Sequence, residues 1–137
     1  LETYYLNLTT NADAMRVAAR ENATSTHQMS ELQDILSDIM KNSKINESSR
    51  LAQQVHNSIL TEADKQGFTG IKNLGVKQAP FYVLIGAQMP AILIELAFIS
   101  NEKDVDNLKN ATFIEILTGE ITEGIKAYIS DTTAKLK

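Results

Sequence analysis

A single carboxylate, Glu95, interrupts an apolar run of branched and aromatic residues that extends from Pro90 to Ser100. A short run of this composition, bounded by Pro and by Ser-Asn, is typical of a strand buried on both faces. An unpaired charge there costs on the order of several kcal/mol, so the acid is a candidate catalytic group. We predict that Glu95 opens into a cleft at the C-terminal end of a largely buried, central or near-central strand.

Strand alternation places Glu95 on the same face as Leu93 and Ala97, where a small side chain leaves room for a ligand. The opposite face carries the apolar residues Ile92, Ile94, Leu96 and Phe98. The alternative is a structural glutamate paired with a buried arginine. Position alone does not decide between a catalytic and a structural Glu95.

The other residues that could do chemistry give weaker patterns. His27 and His56 are the only histidines, and they are predicted on separate helical elements without the acid-and-His spacing of a zinc helix. His56 falls off the apolar stripe of its helix, which predicts a solvated position. Ser48, Ser49 and Ser100 lack a His-Asp partner pattern. We therefore predict neither a metal site nor a serine nucleophile within these residues.

An amphipathic helix is predicted from Ser30 to Met40, and it begins with the capping-box pair Ser30 and Gln33. Its apolar stripe consists of Leu32, Ile35, Leu36, Ile39 and Met40, and its wet side carries Glu31, Asp34 and Asp38. It is either an ordinary surface helix or an element that lies near a cation, which carboxylates would suit.

Alternating strand and helix patterns run along the whole chain. Strands are predicted over residues 1–6, over 81–85, and around Glu95 up to Ser100 and Asn101. Helices are predicted over 12–21, over a segment that ends near Gly67, over 101–108, and from residue 112 onward. The pattern predicts one α/β domain over residues 1–137, with a mixed or mostly parallel sheet flanked by helices on both faces.

Composition narrows the classes of function. The chain has 137 residues, 43% of them hydrophobic, which is enough for a core. A net charge of -4 with no dense basic segment argues against a nucleic-acid partner. No apolar run approaches the ~20 residues of a membrane-spanning helix. The absence of cysteine excludes disulfides, thiol nucleophiles and cysteine metal ligands but leaves the compartment open.

Six segments of the chain occur in the order and spacing seen in zinc-dependent N-acetylmuramoyl-L-alanine amidases, which the sequence resembles over nearly its whole length. They are Glu2-Thr3-Tyr4-Tyr5-Leu6-Asn7, Ala19-Arg20-Glu21-Asn22, Ile35-Leu36-Ser37-Asp38, Glu47-Ser48-Ser49-Arg50-Leu51-Ala52, Val76-Lys77-Gln78-Ala79-Pro80-Phe81-Tyr82-Val83-Leu84 and the Glu95 segment. One small departure is Ala97, where many family members carry glycine.

The resemblance implies hydrolysis of the amide between N-acetylmuramic acid and L-alanine in bacterial peptidoglycan. Glu95 would act as general base toward the attacking water and as general acid toward the leaving amine, with zinc polarising the amide carbonyl. The family's zinc ligands, His, Glu and His, lie before the segment that matches residues 1–7, so they are expected upstream of Leu1. The 137 residues are then the C-terminal portion of a catalytic domain, expected to be inactive alone.

The resemblance also implies a setting for the protein: peptidoglycan as partner, and a periplasmic or extracellular, cell-wall-associated location. In some family members a helix from the region of Ser30 to Met40 covers the active site until a partner protein draws it away, which implies an activator. A rival interpretation is a non-catalytic wall-binding or regulatory module that keeps the fold without the metal site. A third is a metal-dependent peptidase that uses the same acid.

Overall fold

A computed structural model describes residues 1–29, 44–68 and 71–134. The helix predicted from Ser30 to Met40 lies outside these residues. The strands are β1 (Glu2–Leu6), β2 (Val76–Ala79) and β3 (Ile92–Glu95). The α-helices are α1 (Ala12–Glu21), α2 (Ile45–Lys65), α3 (Glu102–Lys109) and α4 (Ala111–Ala134), and a short 3-10 helix spans Tyr82–Leu84.

The three strands form a mixed sheet in the order β2-β1-β3. β1 pairs in parallel with β2, from Thr3 opposite Val76 to Leu6 opposite Ala79. It pairs antiparallel with β3, where Glu2 lies opposite Glu95. The central strand β1 therefore fixes the relative position of the residues on both of its neighbours.

Each face of the sheet is covered by a separate hydrophobic cluster. On one face, the buried side chains of Tyr4, Leu6 and Ala79 pack with those of α1. On the other, Ile92 and Ile94 pack against a cluster drawn from α2 and α4, whose members are Leu51, Val55, Ile59, Phe113 and Leu117. Helices on both faces of a mixed sheet confirm the predicted α/β fold. Among the described helices, none has the length and apolar character needed to cross a membrane.

Local capping explains where several helices begin. The Oδ1 atom of Asn11 accepts a hydrogen bond from the backbone N–H of Ala14 at 3.0 Å, and α1 starts at the next residue after Asn11. Asn101 caps α3 in the same way through the N–H of Asp104. The chain leaves α2 at Gly67, which has φ +75°, a conformation that suits glycine. All three boundaries follow the sequence prediction.

The strand predicted over residues 81–85 is wrong. The residues that pair with β1 are Val76–Ala79, and the ladder ends before Pro80, which has no N–H to donate. Phe81 is buried against Tyr4 with ring centroids 4.8 Å apart. Its neighbour Tyr82 starts the 3-10 helix and donates its backbone N–H to the Oδ1 atom of Asn22 at 2.8 Å. Phe81 thus packs in the hydrophobic core, and neither aromatic residue of this segment pairs with a strand.

The strand that carries Glu95 is shorter and more peripheral than predicted. It ends at Glu95, which lies opposite Glu2, rather than at Ser100 and Asn101, and the residues that follow form a turn in which the N–H of Phe98 donates to Asp104. In the described sheet β3 is an edge strand, and its residues are only partly buried. The prediction that Glu95 stands at the C-terminal end of its strand is confirmed.

His56 is buried, with only 3% of its surface exposed, so the prediction of a solvated position is wrong. Its Nδ1 atom lies 3.0 Å from Thr3 Oγ1, and its Nε2 atom lies 3.0 Å from Asn73 Oδ1. Asn73 Oδ1 also accepts from the N–H of Gly75, so the matching tautomer donates from Nε2 and accepts from the Thr3 hydroxyl at Nδ1. The ring joins β1, α2 and the loop before β2.

We expect His56→Leu to lower the free energy of unfolding by about 1–3 kcal/mol, because it leaves the buried Thr3 hydroxyl without its partner. Chemical denaturation of His56→Leu, Thr3→Val and the double variant measures the coupling between the two side chains. The coupling energy should be about 0.5–3 kcal/mol. Strictly additive losses would show that the contact between Thr3 and His56 contributes nothing to stability.

Candidate active site

A cleft of about 870 Å³ opens beside the sheet face that packs on α1. Its strand residues are Glu2, Tyr4, Lys77, Leu93, Ile94 and Glu95. Helix α1 contributes Asp13, Arg16, Val17, Arg20 and Glu21, and the segment after β3 contributes Leu96, Ala97, Phe98, Ile99 and Ser100. The cleft therefore has a charged wall from α1 and an apolar wall from the loop after β3. Glu95, the predicted catalytic acid, is the last strand residue before that loop.

Glu95 lies on the same sheet face as two residues of the neighbouring strand β1. The register sets Glu95 opposite Glu2 and Leu93 opposite Tyr4. Leu93 packs in the α1 cluster, whereas Ile94 packs in the cluster on the other face. The predicted alternation is thereby confirmed within β3, and it brings two carboxylates together at the end of the sheet. Beyond Glu95 it is wrong, because the strand ends there and Leu96, Ala97 and Phe98 all line the cleft.

Glu2 is the more buried of the two carboxylates, with 3% of its surface exposed. It forms an ion pair with Lys77, whose side chain remains partly exposed. Since Lys77 lies opposite Tyr4 on β2, its ammonium group reaches Glu2 across the face of β1. A buried carboxylate requires a partner of this kind, and Lys77 compensates its negative charge.

The surroundings of Glu95 disfavour its charged form. Burial is the main cause that raises the pKa of Glu95, and the negative charges of Glu2 and then Glu21 act in the same direction. Lys77 opposes the shift. A carboxyl with a raised pKa takes up and releases a proton closer to neutral pH, which suits general acid–base catalysis.

Tyr4 contributes a buried hydroxyl whose oxygen has no hydrogen-bond partner among the described residues. Burial raises the pKa of Tyr4, and the nearby Glu2 carboxylate raises it further without standing in hydrogen-bond geometry. Because the residue lines the cleft, a water molecule or ligand group there would satisfy this hydroxyl.

The turn after Glu95 is held by the start of α3. The backbone N–H of Phe98 donates to the Asp104 carboxylate at 2.8 Å, and the N–H of Asn101 donates to the carbonyl of Phe98 at 2.9 Å. The capped first turn of α3 thus shapes the apolar loop beside Glu95. Ile99 projects from this loop with 86% of its surface exposed.

The described residues do not provide a zinc site. No three His, Cys, Asp or Glu side chains among residues 1–29, 44–68 and 71–134 are grouped so that they could hold a metal ion. Neither histidine lines the cleft, and His56 lies on the opposite sheet face with Thr3. The carboxylate pair of Glu2 and Glu95 is partly compensated by Lys77, so the cleft does not offer the donor set that zinc prefers.

Sequence reasoning identified Glu95 but missed Glu2 and Lys77. Glu2 alternates with Tyr4 and Leu6, so it lies on the apolar face of β1, and that misplaced acid was the available signal. Nothing in the sequence around Lys77 indicated a role in the site, because only the parallel pairing of β2 with β1 brings Lys77 close to Glu2.

Comparison with known proteins gives consistent relatives. The N-acetylmuramoyl-L-alanine amidase family model matches residues 1–127. The chain is 35% identical to the N-acetylmuramoyl-L-alanine amidase LytC of Bacillus subtilis over 81 residues, 59% of this chain and 15% of the relative. It is 48% identical to the N-acetylmuramoyl-L-alanine amidase AmiC of Escherichia coli over 56 residues, 41% of this chain and 13% of the relative.

A third relative is the probable cell wall amidase LytH of Staphylococcus saprophyticus, 34% identical over 100 residues, which are 71% of this chain and 34% of the relative. The matched segments thus cover between 13% and 34% of the length of these three relatives. The family match covers nearly the whole chain and includes every strand of the described sheet. The chain therefore belongs to the N-acetylmuramoyl-L-alanine amidase family.

Proposed function

We propose that the protein containing this chain hydrolyses the amide bond between N-acetylmuramic acid and L-alanine in bacterial peptidoglycan. The observation that carries the proposal is the position of Glu95, a half-buried acid at the end of β3 in a large cleft of a chain of this family. The names of the relatives, which include a probable cell wall amidase, support peptidoglycan as the substrate.

Glu95 is the proposed general base and general acid. Its carboxylate accepts a proton from the attacking water while the water oxygen bonds to the amide carbonyl carbon. The carbon–nitrogen bond then breaks, and Glu95 returns the proton to the nitrogen of L-alanine. The raised pKa of Glu95 helps the second step, because the protonated form is easier to reach than at an exposed glutamate.

We include zinc as the cofactor of the full-length protein because the chain resembles zinc-dependent amidases. Since the described residues do not fit a zinc site, we expect its ligands outside them, upstream of Leu1. The 137 residues alone are accordingly expected to bind zinc weakly and to lack activity. The proposed location is periplasmic or extracellular, at the cell wall.

The helix from Ser30 to Met40 is proposed as a cover over the cleft on which an activator protein acts. Met29, the residue before it, is fully buried in the cluster on the α1 side of the sheet. Met29 thus lies on the same side of the sheet as the cleft, which supports the proposed position of the helix near Glu95.

Mass spectrometry of the products tests the proposal. The full-length protein, incubated with purified peptidoglycan, should release stem peptides with a free L-alanine amino group and leave glycan strands without stems. Cleavage between stem residues would instead establish the peptidase. Retained binding without any cleavage would establish the wall-binding module.

A further inference from the structure

We propose that Glu2, held in place by Lys77, is a positioning residue whose fixed negative charge sets how tightly the Glu95 carboxyl holds its proton. The inference deepens the proposed function, and its catalytic meaning rests on Glu95 being the general base. Its structural basis is independent of activity.

The first support is geometric. Glu2 and Glu95 are direct partners in the antiparallel register, and both side chains lie on the sheet face that lines the cleft. Directly opposite residues bring their Cβ atoms to about 4.5–5.5 Å, a distance at which like charges interact strongly when solvent is excluded. The position of Glu2 is thus fixed by backbone hydrogen bonds rather than by a flexible side chain.

The second support is the burial and pairing of Glu2. The fold buries this carboxylate at an energetic cost, although a neutral residue could fill the same strand position. Lys77 compensates the charge from β2, and its side chain remains partly exposed. The residue pair places one negative charge next to the proposed general base.

Other charged groups also act on Glu95, and the effect of Glu2 on its pKa is compared with theirs. Glu21 of α1 raises the pKa of Glu95 less than Glu2 does, whereas Lys77 lowers it. The cleft also contains Asp13, which pairs with Arg16 at 3.0 Å. Of the acids that act on Glu95, Glu2 has the largest influence and the most restricted position.

A carbon-13 NMR titration of the glutamate side-chain carboxyls in the full-length protein tests the inference. The Glu95 signal is assigned from its loss in Glu95→Gln. We expect Glu2→Gln to move the Glu95 midpoint to lower pH, and by more than Glu21→Gln does. Glu2→Asp, which keeps the charge, should restore most of the wild-type midpoint. An unchanged midpoint in folded Glu2→Gln would overturn the inference.

Lys77→Met is a second variant, for which the opposite shift of the Glu95 midpoint is expected. It tests the inference if Glu2→Gln does not fold. Loss of the cation should move the Glu95 midpoint to higher pH, and no movement would count against the inference. The titration does not use turnover, so it separates the two proposals. A shifted midpoint without amidase activity would retain the charge coupling and remove the proposed function.

Discussion

Glu95→Gln in the full-length protein should lower the rate of amide hydrolysis by roughly 10²–10⁴-fold. Glutamine keeps the size and shape of the side chain, but its amide cannot accept a proton from water. Release of stem peptides under single-turnover conditions measures the chemical step. Glu123→Gln is the matched control, since Glu123 pairs with Lys126 on α4 and does not line the cleft. Equal rates in the two variants would remove Glu95 from the mechanism.

The loss of activity should occur without a loss of stability. Because the folded-state pKa of Glu95 is raised, its stabilising contribution is present below the unfolded-state pKa and is lost as pH rises through the folded-state pKa. At neutral pH the neutral glutamine avoids this loss. Glu95→Gln should therefore unfold at a temperature no lower than wild type at pH 7, and a clear decrease would attribute the lost activity to misfolding.

Gly124→Ala should destabilise the domain by about 1–3 kcal/mol or more, because it overpacks the contact between α4 and α2. A Cβ atom at this position would lie 2.5 Å from the Cα atom and 2.9 Å from the backbone nitrogen of Val55. Both are backbone atoms of a buried helical residue, so they cannot rotate away as a side chain would. Denaturant unfolding of the domain measures the change.

Gly119→Ala is the control within the same helix, since nothing lies within 4 Å of a Cβ atom placed there. Alanine favours helix more than glycine does, so this variant should gain about 0.5–1 kcal/mol. The two substitutions are chemically identical and should have opposite signs. A Gly124→Ala variant as stable as Gly119→Ala would show that the helices do not approach this closely.

The sequence identified features whose signals are local. The starts of α1 and α3 were predicted to within one residue, and Glu95 was recognised from the apolar run around it. Side-chain alternation then assigned the correct face to Glu95 without knowledge of its partners. These features depend on residues that are neighbours in the chain, and physical rules of short range suffice for them.

Features set by distant pairing were missed. Residues 81–85 have strand-forming composition, whereas Val76 is the one strong strand former in residues 76–79, yet pairing with β1 selects the second segment. His56 was predicted to be exposed because both of its hydrogen-bond partners lie outside α2. Thr3 is in β1, and Asn73 is in the loop before β2. Glu2 and Lys77 became part of the site for the same reason, through strand pairing.

Helix α4 shows how a close helix contact changes an apolar stripe. Ile125 and Ile129 follow the helical spacing of the apolar residues of this helix, but they are 41% and 56% exposed. The buried positions include Gly124, which a hydrophobicity pattern does not count as apolar. The approach to Val55 at this glycine orients the helix, so the adjacent isoleucine faces outward.

A structure of the full-length Glu95→Gln protein bound to an uncleaved muramyl peptide tests directly whether Glu95 acts on the scissile amide. We expect the peptide to occupy the cleft between α1 and the loop after β3. The scissile nitrogen, or one water bridging to it, should lie about 2.6–3.2 Å from the side chain at position 95. A peptide bound elsewhere, with the cleft beside Glu95 empty, would contradict the account.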